Sequence, residues 1–189
     1  MRILGVDPGS WRTGVGVIEI HAGQYQLVHV EVVKIAQGLA IPKRLERIHE
    51  GLGEVIRRFS PDIMALESVF FGKDIRALVR IGEARAAAML AASEQDVPVV
   101  EYAPAKVKQS ISGSGRASKE QMQYMVKSLL KLQSAPPSDG ADALAVAICH
   151  AHSNRAKQSI TEAQKKLQAI LGKKRKRKKD VSLSYRKSG

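Results

Sequence analysis

A chain of 189 residues, 44% of them apolar, can bury a core of its own, and a single domain is the default. Its formal charge of +13 and pI near 10.0 point to a polyanionic partner, either nucleic acid or an anionic membrane surface. No apolar run approaches the ~20 residues that span a bilayer, Asp7 interrupts the first apolar stretch too early for a signal peptide, and the lone Cys149 excludes an intrachain disulfide, so a cytoplasmic protein without a membrane role is expected.

The run Arg2-Ile3-Leu4-Gly5-Val6 climbs to Asp7 and stops at the turn dipeptide Pro8-Gly9. It reads as a buried strand that delivers a carboxylate to its C-terminal end, the edge at which open α/β sheets place their active crevices. Thr13–Ile20 and Tyr25–Ile35 read as two further strands separated by the break His21-Ala22-Gly23-Gln24, and such short links make the first three strands antiparallel neighbours. Pro42 suits a first helical turn, and Leu45, Ile48, Leu52, Val55, Ile56 and Phe59 recur at helical spacing, which predicts a helix over 42–59. The next strand, Asp62–Leu66, again ends on an acid, Glu67.

Residues 74–93 predict a helix rich in alanine whose apolar positions cover more than one face. One face suits the sheet; the other either meets a second subunit or is buried within the chain. Val97–Tyr102 reads as a fifth strand, with helices over 104–111, 119–132 (capped by Ser118) and 139–153 (capped by Ser138). The order describes an α/β fold with a mixed five-stranded sheet, three antiparallel strands and then parallel ones, flanked by helices. Residues 1–155 are expected to be the folded domain. Residues 156–189 are expected to be a disordered basic tail, because 173–189 hold nine Lys/Arg against one acid and the unbroken block 173–179 repels itself.

Asp139 and Asp142 stand three apart on the last predicted helix, hence on one face. Acids in a first turn also gain from the helix dipole, so this pair alone is ambiguous. With Asp7 and Glu67 it makes four carboxylates. Converging without cations they would raise one another's pKa, a conflict that hard divalent ions resolve; two Mg²⁺ ions would suit hydrolysis at phosphorus. A basic body around an acidic pit fits a metal-dependent nuclease.

Gly5-Val6-Asp7-Pro8-Gly9-Ser10 with Thr13-Gly14, Leu66-Glu67-Ser68-Val69-Phe70, and Asp139-Gly140-Ala141-Asp142-Ala143-Leu144-Ala145 together resemble the RuvC family. These are bacterial Holliday junction resolvases with a ribonuclease H-like fold. Tyr102, Val107-Lys108-Gln109, Gly113 and Lys119 resemble its middle section, and the likeness runs from residue 1 to about 152. It implies a homodimer that nicks two strands of like polarity at a four-way DNA junction, leaving 5′-phosphate and 3′-hydroxyl ends. The implied partner is a RuvA–RuvB branch-migration complex. Asp7, Glu67, Asp139 and Asp142 match the catalytic, metal-binding carboxylates (for Mg²⁺, with Mn²⁺ as a substitute). Lys108 and Lys119 match basic residues near the scissile phosphate, and Phe70 matches an aromatic set against an unstacked base, although the residues alone allow Phe70 a place in the core. His150 and His152 read as surface or helix-end histidines. An Asp-glycine turn followed by Thr-Gly also opens actin-like and sugar kinases, but those need a second large lobe and lack the paired aspartates.

Overall fold

The computed structural model describes residues 1–69 and 74–185, the last twenty of these (166–185) by backbone alone. The strands are β1 (Arg2–Asp7), β2 (Arg12–His21), β3 (Gln24–Lys34), β4 (Ile63–Glu67) and β5 (Val99–Tyr102). The helices are α1 (Ile41–Phe59), α2 (Ile75–Ser93), α3 (Pro104–Ser112), α4 (Lys119–Leu129) and α5 (Ser138–Tyr185). The chain divides into two units, Met1–His152 and Ser153–Gly189.

The five strands form one sheet in the order β3-β2-β1-β4-β5. β1–β2 and β2–β3 pair antiparallel, and β4 and β5 join in parallel, so the mixed α/β sheet matches the expected class. Period-two alternation sends successive side chains to opposite faces. From β1, Leu4 and Val6 point to the face covered by α1 and α2, where they meet Ile48, Leu52 and the alanines of α2; Ile3 points to the other face, among Val126, Leu144 and Ile148.

Glycine sets how α5 lies on this second face. A Cβ on Gly14 would run into the Asp139 carbonyl, and one on Gly5 into the Ala143 carbonyl. Only bare backbone lets the helix rest directly on β1 and β2. The start of α5 is thereby fixed beside the end of β1, which carries Asp7.

Several boundaries differ from the sequence reading. β5 starts at Val99, after Pro98, which has no N–H to give and joins β4 only through its carbonyl, accepting from the Met64 amide at 2.9 Å. Asp74 caps α2, its carboxylate accepting from the amides of Arg76 and Ala77. Ser138 does not cap α5: its hydroxyl is buried without a hydrogen-bond partner, and the first helical amide, of Ala141, donates to the Pro137 carbonyl instead. The helix also continues past 153 to Tyr185. No proline follows Ser153, the first glycine after it is Gly172, and the intervening Ala, Gln, Lys, Glu and Leu are good helix formers. Among the described residues no helix is long and apolar enough to cross a membrane.

Candidate active site

Asp7 and Glu67 end neighbouring strands. β1 and β4 are parallel with Val6 opposite Leu66, so the next residue on each strand places the two carboxyls side by side. The turn after Asp7 is held by Thr13, fully buried, whose hydroxyl donates to the Gly9 carbonyl at 3.0 Å. A cleft of about 370 Å³ opens at this edge, lined by Asp7, Glu67, Lys108, Lys119, Met122 and Asp142. Three segments distant in sequence thus contribute acids and bases to one cavity: the strand ends, the α3–α4 pair and the first turns of α5.

Its electrostatics follow from burial. Desolvation is the main reason that the Asp7 carboxyl rises from 3.8 to about 6, helped by the negative charge of Asp142. Desolvation also leads for Glu67, which rises from 4.5 to about 8 with the Asp7 charge beside it. The two are hydrogen-bonded to each other, which lowers Asp7 and raises Glu67. Both carboxyls are thus pushed toward the protonated form, so near neutral pH the pair favours holding one proton between them. Asp142 is also raised, by desolvation first, against the pull of Lys119, whose Nζ lies 3.3 Å from its Oδ2.

Asp139 is placed differently. Its Oδ2 accepts from Arg12 Nε at 2.5 Å, at the margin of the cleft rather than in its lining. Its charge still reaches Asp7 and Asp142, raising both. Arg12 is the one ion-pair partner here that the sequence reading passed over; its only signal is its place at the end of the Pro8–Trp11 turn.

Among the described residues no three His, Cys, Asp or Glu side chains stand together as a preformed metal-ligand set. The charges are instead balanced by the shared proton, Lys119 and Arg12. Half-buried carboxylates with raised pKa values nevertheless fit a divalent cation, which favours their charged forms. The donors are all oxygen, with no cysteine or histidine in the lining, and this suits a hard ion.

Of the remaining sites read from sequence, Lys108 and Lys119 both line the cleft, and Phe70 lies outside the described residues. The surface placement of the histidines does not hold. His150 is 7% exposed, with Nδ1 2.9 Å from the Tyr102 hydroxyl, and His152 is partly buried, its Nδ1 3.0 Å from the Ser110 hydroxyl. From α5, His150 faces β5 and His152 faces α3, a burial that a helix-end position does not reveal.

The family model described as "Crossover junction endodeoxyribonuclease RuvC" matches residues 3–150. A protein of that name from Dehalococcoides mccartyi is 49% identical over 162 residues, covering 85% of this chain and 98% of its own length. Another, from Desulforamulus reducens, is 46% identical over 152 residues, 80% and 93% of the two chains. Among solved structures, Thermus thermophilus RuvC superposes with a TM-score of 0.77 at 40% identity, over 83% of this chain and 97% of that one. The same protein in complex with a Holliday junction substrate gives a TM-score of 0.75 at 37% identity, over 82% and 96%.

Proposed function

This chain belongs to the RuvC family of crossover junction endodeoxyribonucleases, and we propose from that premise that it resolves four-way DNA junctions by paired nicks on strands of like polarity. The products are 5′-phosphate and 3′-hydroxyl ends, and the setting is recombination and repair in the cytoplasm. The observation that carries the reading is the gathering of Asp7, Glu67 and Asp142 with Lys108 and Lys119 in one cleft of a basic protein.

Asp7, Glu67, Asp139 and Asp142 are the residues that would hold the metal on which the family's nucleases depend. We assign Mg²⁺, two ions per site with Mn²⁺ as a substitute, from the hard all-oxygen donor set. A metal held there would lower the pKa of a water, making the attacking hydroxide available at neutral pH, and would offset charge on the leaving oxygen. The chain's own groups do the rest. Glu67 would lose its proton to solvent on becoming a ligand, Asp142 and Asp139 would be freed from Lys119 and Arg12 to serve the same metal, and Lys108 and Lys119 would face the strand at the rim. There they bind phosphate oxygens and offset the charge that develops during displacement. Phe70 is assigned the stacking of an unpaired base at the crossover.

Paired nicks require two sites, hence a homodimer. α2 carries a surface suited to this: Ile75, Val79 and Leu90 are 73%, 55% and 59% exposed, fall on one side of the helix at 100° per residue, and lie opposite the alanines buried on the sheet. Residues 1–155 constitute the nuclease domain. The basic residues of 156–189 add sequence-independent attachment to DNA, and a RuvA–RuvB complex is the partner in branch migration.

The test is incubation of the full chain with an end-labelled synthetic four-way junction and with duplex of the same sequence, in Mg²⁺ or EDTA. Symmetric nicks on the junction alone, in Mg²⁺ alone, are the expected result. Equal cutting of duplex, or cutting in EDTA, contradicts it.

A further inference from the structure

Arg44 is 92% enclosed, and among the described residues no acid forms an ion pair with it. It sits in the first turn of α1, and its Nε is buried without a hydrogen-bond partner. Of the three acids on its own helix, Glu46 pairs with Lys43 and Glu50 with Arg47, and Glu54 stands ten residues further along, about 15 Å on at 1.5 Å per residue. Trp11 lies over it, with the guanidinium carbon 4.4 Å from the ring centroid. A buried cation without a paired anion is a costly arrangement, and a stacked indole offsets only part of that cost.

The surroundings are suited to an anion. The N-cap of α1, Ala40, has no side chain to satisfy the first amides, and the first turn carries no acid. Lys43 and Arg44 there oppose the helix dipole, an arrangement that an arriving negative charge would reverse. Trp11 is 37% exposed, so its ring both covers Arg44 and reaches solvent.

Position ties these groups to the cleft. Trp11 follows the Asp7 turn and directly precedes Arg12, the partner of Asp139. Its carbonyl accepts from the Ile35 amide at 3.0 Å, which joins the turn to the segment entering α1. β3 ends at Lys34 opposite Arg12, so the start of α1 lies at the same sheet edge as Asp7. A DNA strand leaving the cleft on this side would meet Trp11 and Arg44 next.

We propose that Trp11, Arg44 and the amino end of α1 form a DNA-strand subsite beside the cleft, in which the indole stacks on a base and the cationic helix end holds the neighbouring phosphate. This rests on the junction-nuclease reading. It adds residues outside the four carboxylates and the two cleft lysines. Stacking of this kind is tolerant of sequence, and each phosphate contact adds to the salt dependence of binding.

Trp11 is the only tryptophan, so the unaltered protein reports on its own subsite. Junction DNA would be titrated into full-length protein in EDTA, with binding followed by anisotropy of labelled DNA and Trp11 followed by emission and by acrylamide quenching. The expected result is a saturable fall in emission and shielding from acrylamide, with the same midpoint as the anisotropy curve. Trp11→Leu should raise Kd about ten-fold or more, Trp11→Phe should restore most of the affinity, and Arg44→Gln should lower the salt slope by about one. Junction binding by anisotropy with Trp11 emission and acrylamide access unchanged would overturn the subsite and leave the nuclease reading standing. No junction binding at all would overturn that reading and the subsite together.

Discussion

Replacing Glu67 with glutamine separates the charge cost of the cleft from its chemistry. Burial, then the charge of Asp7, raises the Glu67 carboxyl from 4.5 to about 8, while Asp7 itself rises from 3.8 to about 6. For both groups the folded state holds its proton more tightly than the unfolded chain. Stability is therefore greatest below the unfolded values, near pH 4, and falls as pH rises, until about 6 for Asp7 and about 8 for Glu67. At ~1.4 kcal/mol per pH unit, ionising Glu67 beside an already charged Asp7 costs the metal-free fold on the order of 5 kcal/mol. Glutamine keeps an N–H for the Asp7 carboxylate and cannot ionise. Urea unfolding in EDTA across pH 5 to 9 should show the unaltered protein losing stability between about pH 6 and 8, with Glu67→Gln nearly level over that window. The variant should be the more stable by about 3–5 kcal/mol above pH 8, and inactive on junctions. Parallel pH curves for the two proteins would refute a half-buried, proton-sharing pair.

Asp7→Asn should abolish Mg²⁺-dependent junction cleavage while gel shifts show unchanged binding; retained cleavage would remove Asp7 from the site. Leu90→Glu, on the exposed face of α2, should convert a dimer to a monomer in sedimentation velocity and make the two nicks independent, and a dimer that persists would assign the interface elsewhere. Deleting 173–189, with nine Lys/Arg, should weaken DNA binding most at low salt, and an unchanged salt slope would make this segment a bystander. Gly14→Ala would drive a methyl into the Asp139 carbonyl, so it should lower Tm by several degrees and cleavage by ten-fold or more, since α5 must shift away from the cleft.

The sequence made the strand-end acids legible because an apolar run that halts at a turn has few other readings. Asp7 and Glu67 stand where that pattern places them, next to each other across a parallel pair. Helical spacing put Asp139 and Asp142 on one face, but a shared face does not fix a shared partner: Asp142 lies in the cleft against Lys119, and Asp139 turns to Arg12. What the pattern could not show is contact between distant segments. Gly5 and Gly14 read as weak points in strands until α5 is laid on them. His150 lies far enough along the helix from Asp142 to seem peripheral, yet the same helix buries it under Tyr102. Ser138 has the composition of a cap, but Pro137 leads the chain into α5 one residue earlier and leaves that hydroxyl inside.

Anomalous diffraction from crystals grown with Mn²⁺ addresses the cleft without relying on turnover. Manganese peaks are expected in contact with Asp7, Glu67, Asp142 and an Asp139 released from Arg12, lost in Glu67→Gln, with the Asp7–Glu67 contact replaced by metal contacts. Manganese bound only elsewhere, with that contact intact, would contradict this reading of the cleft.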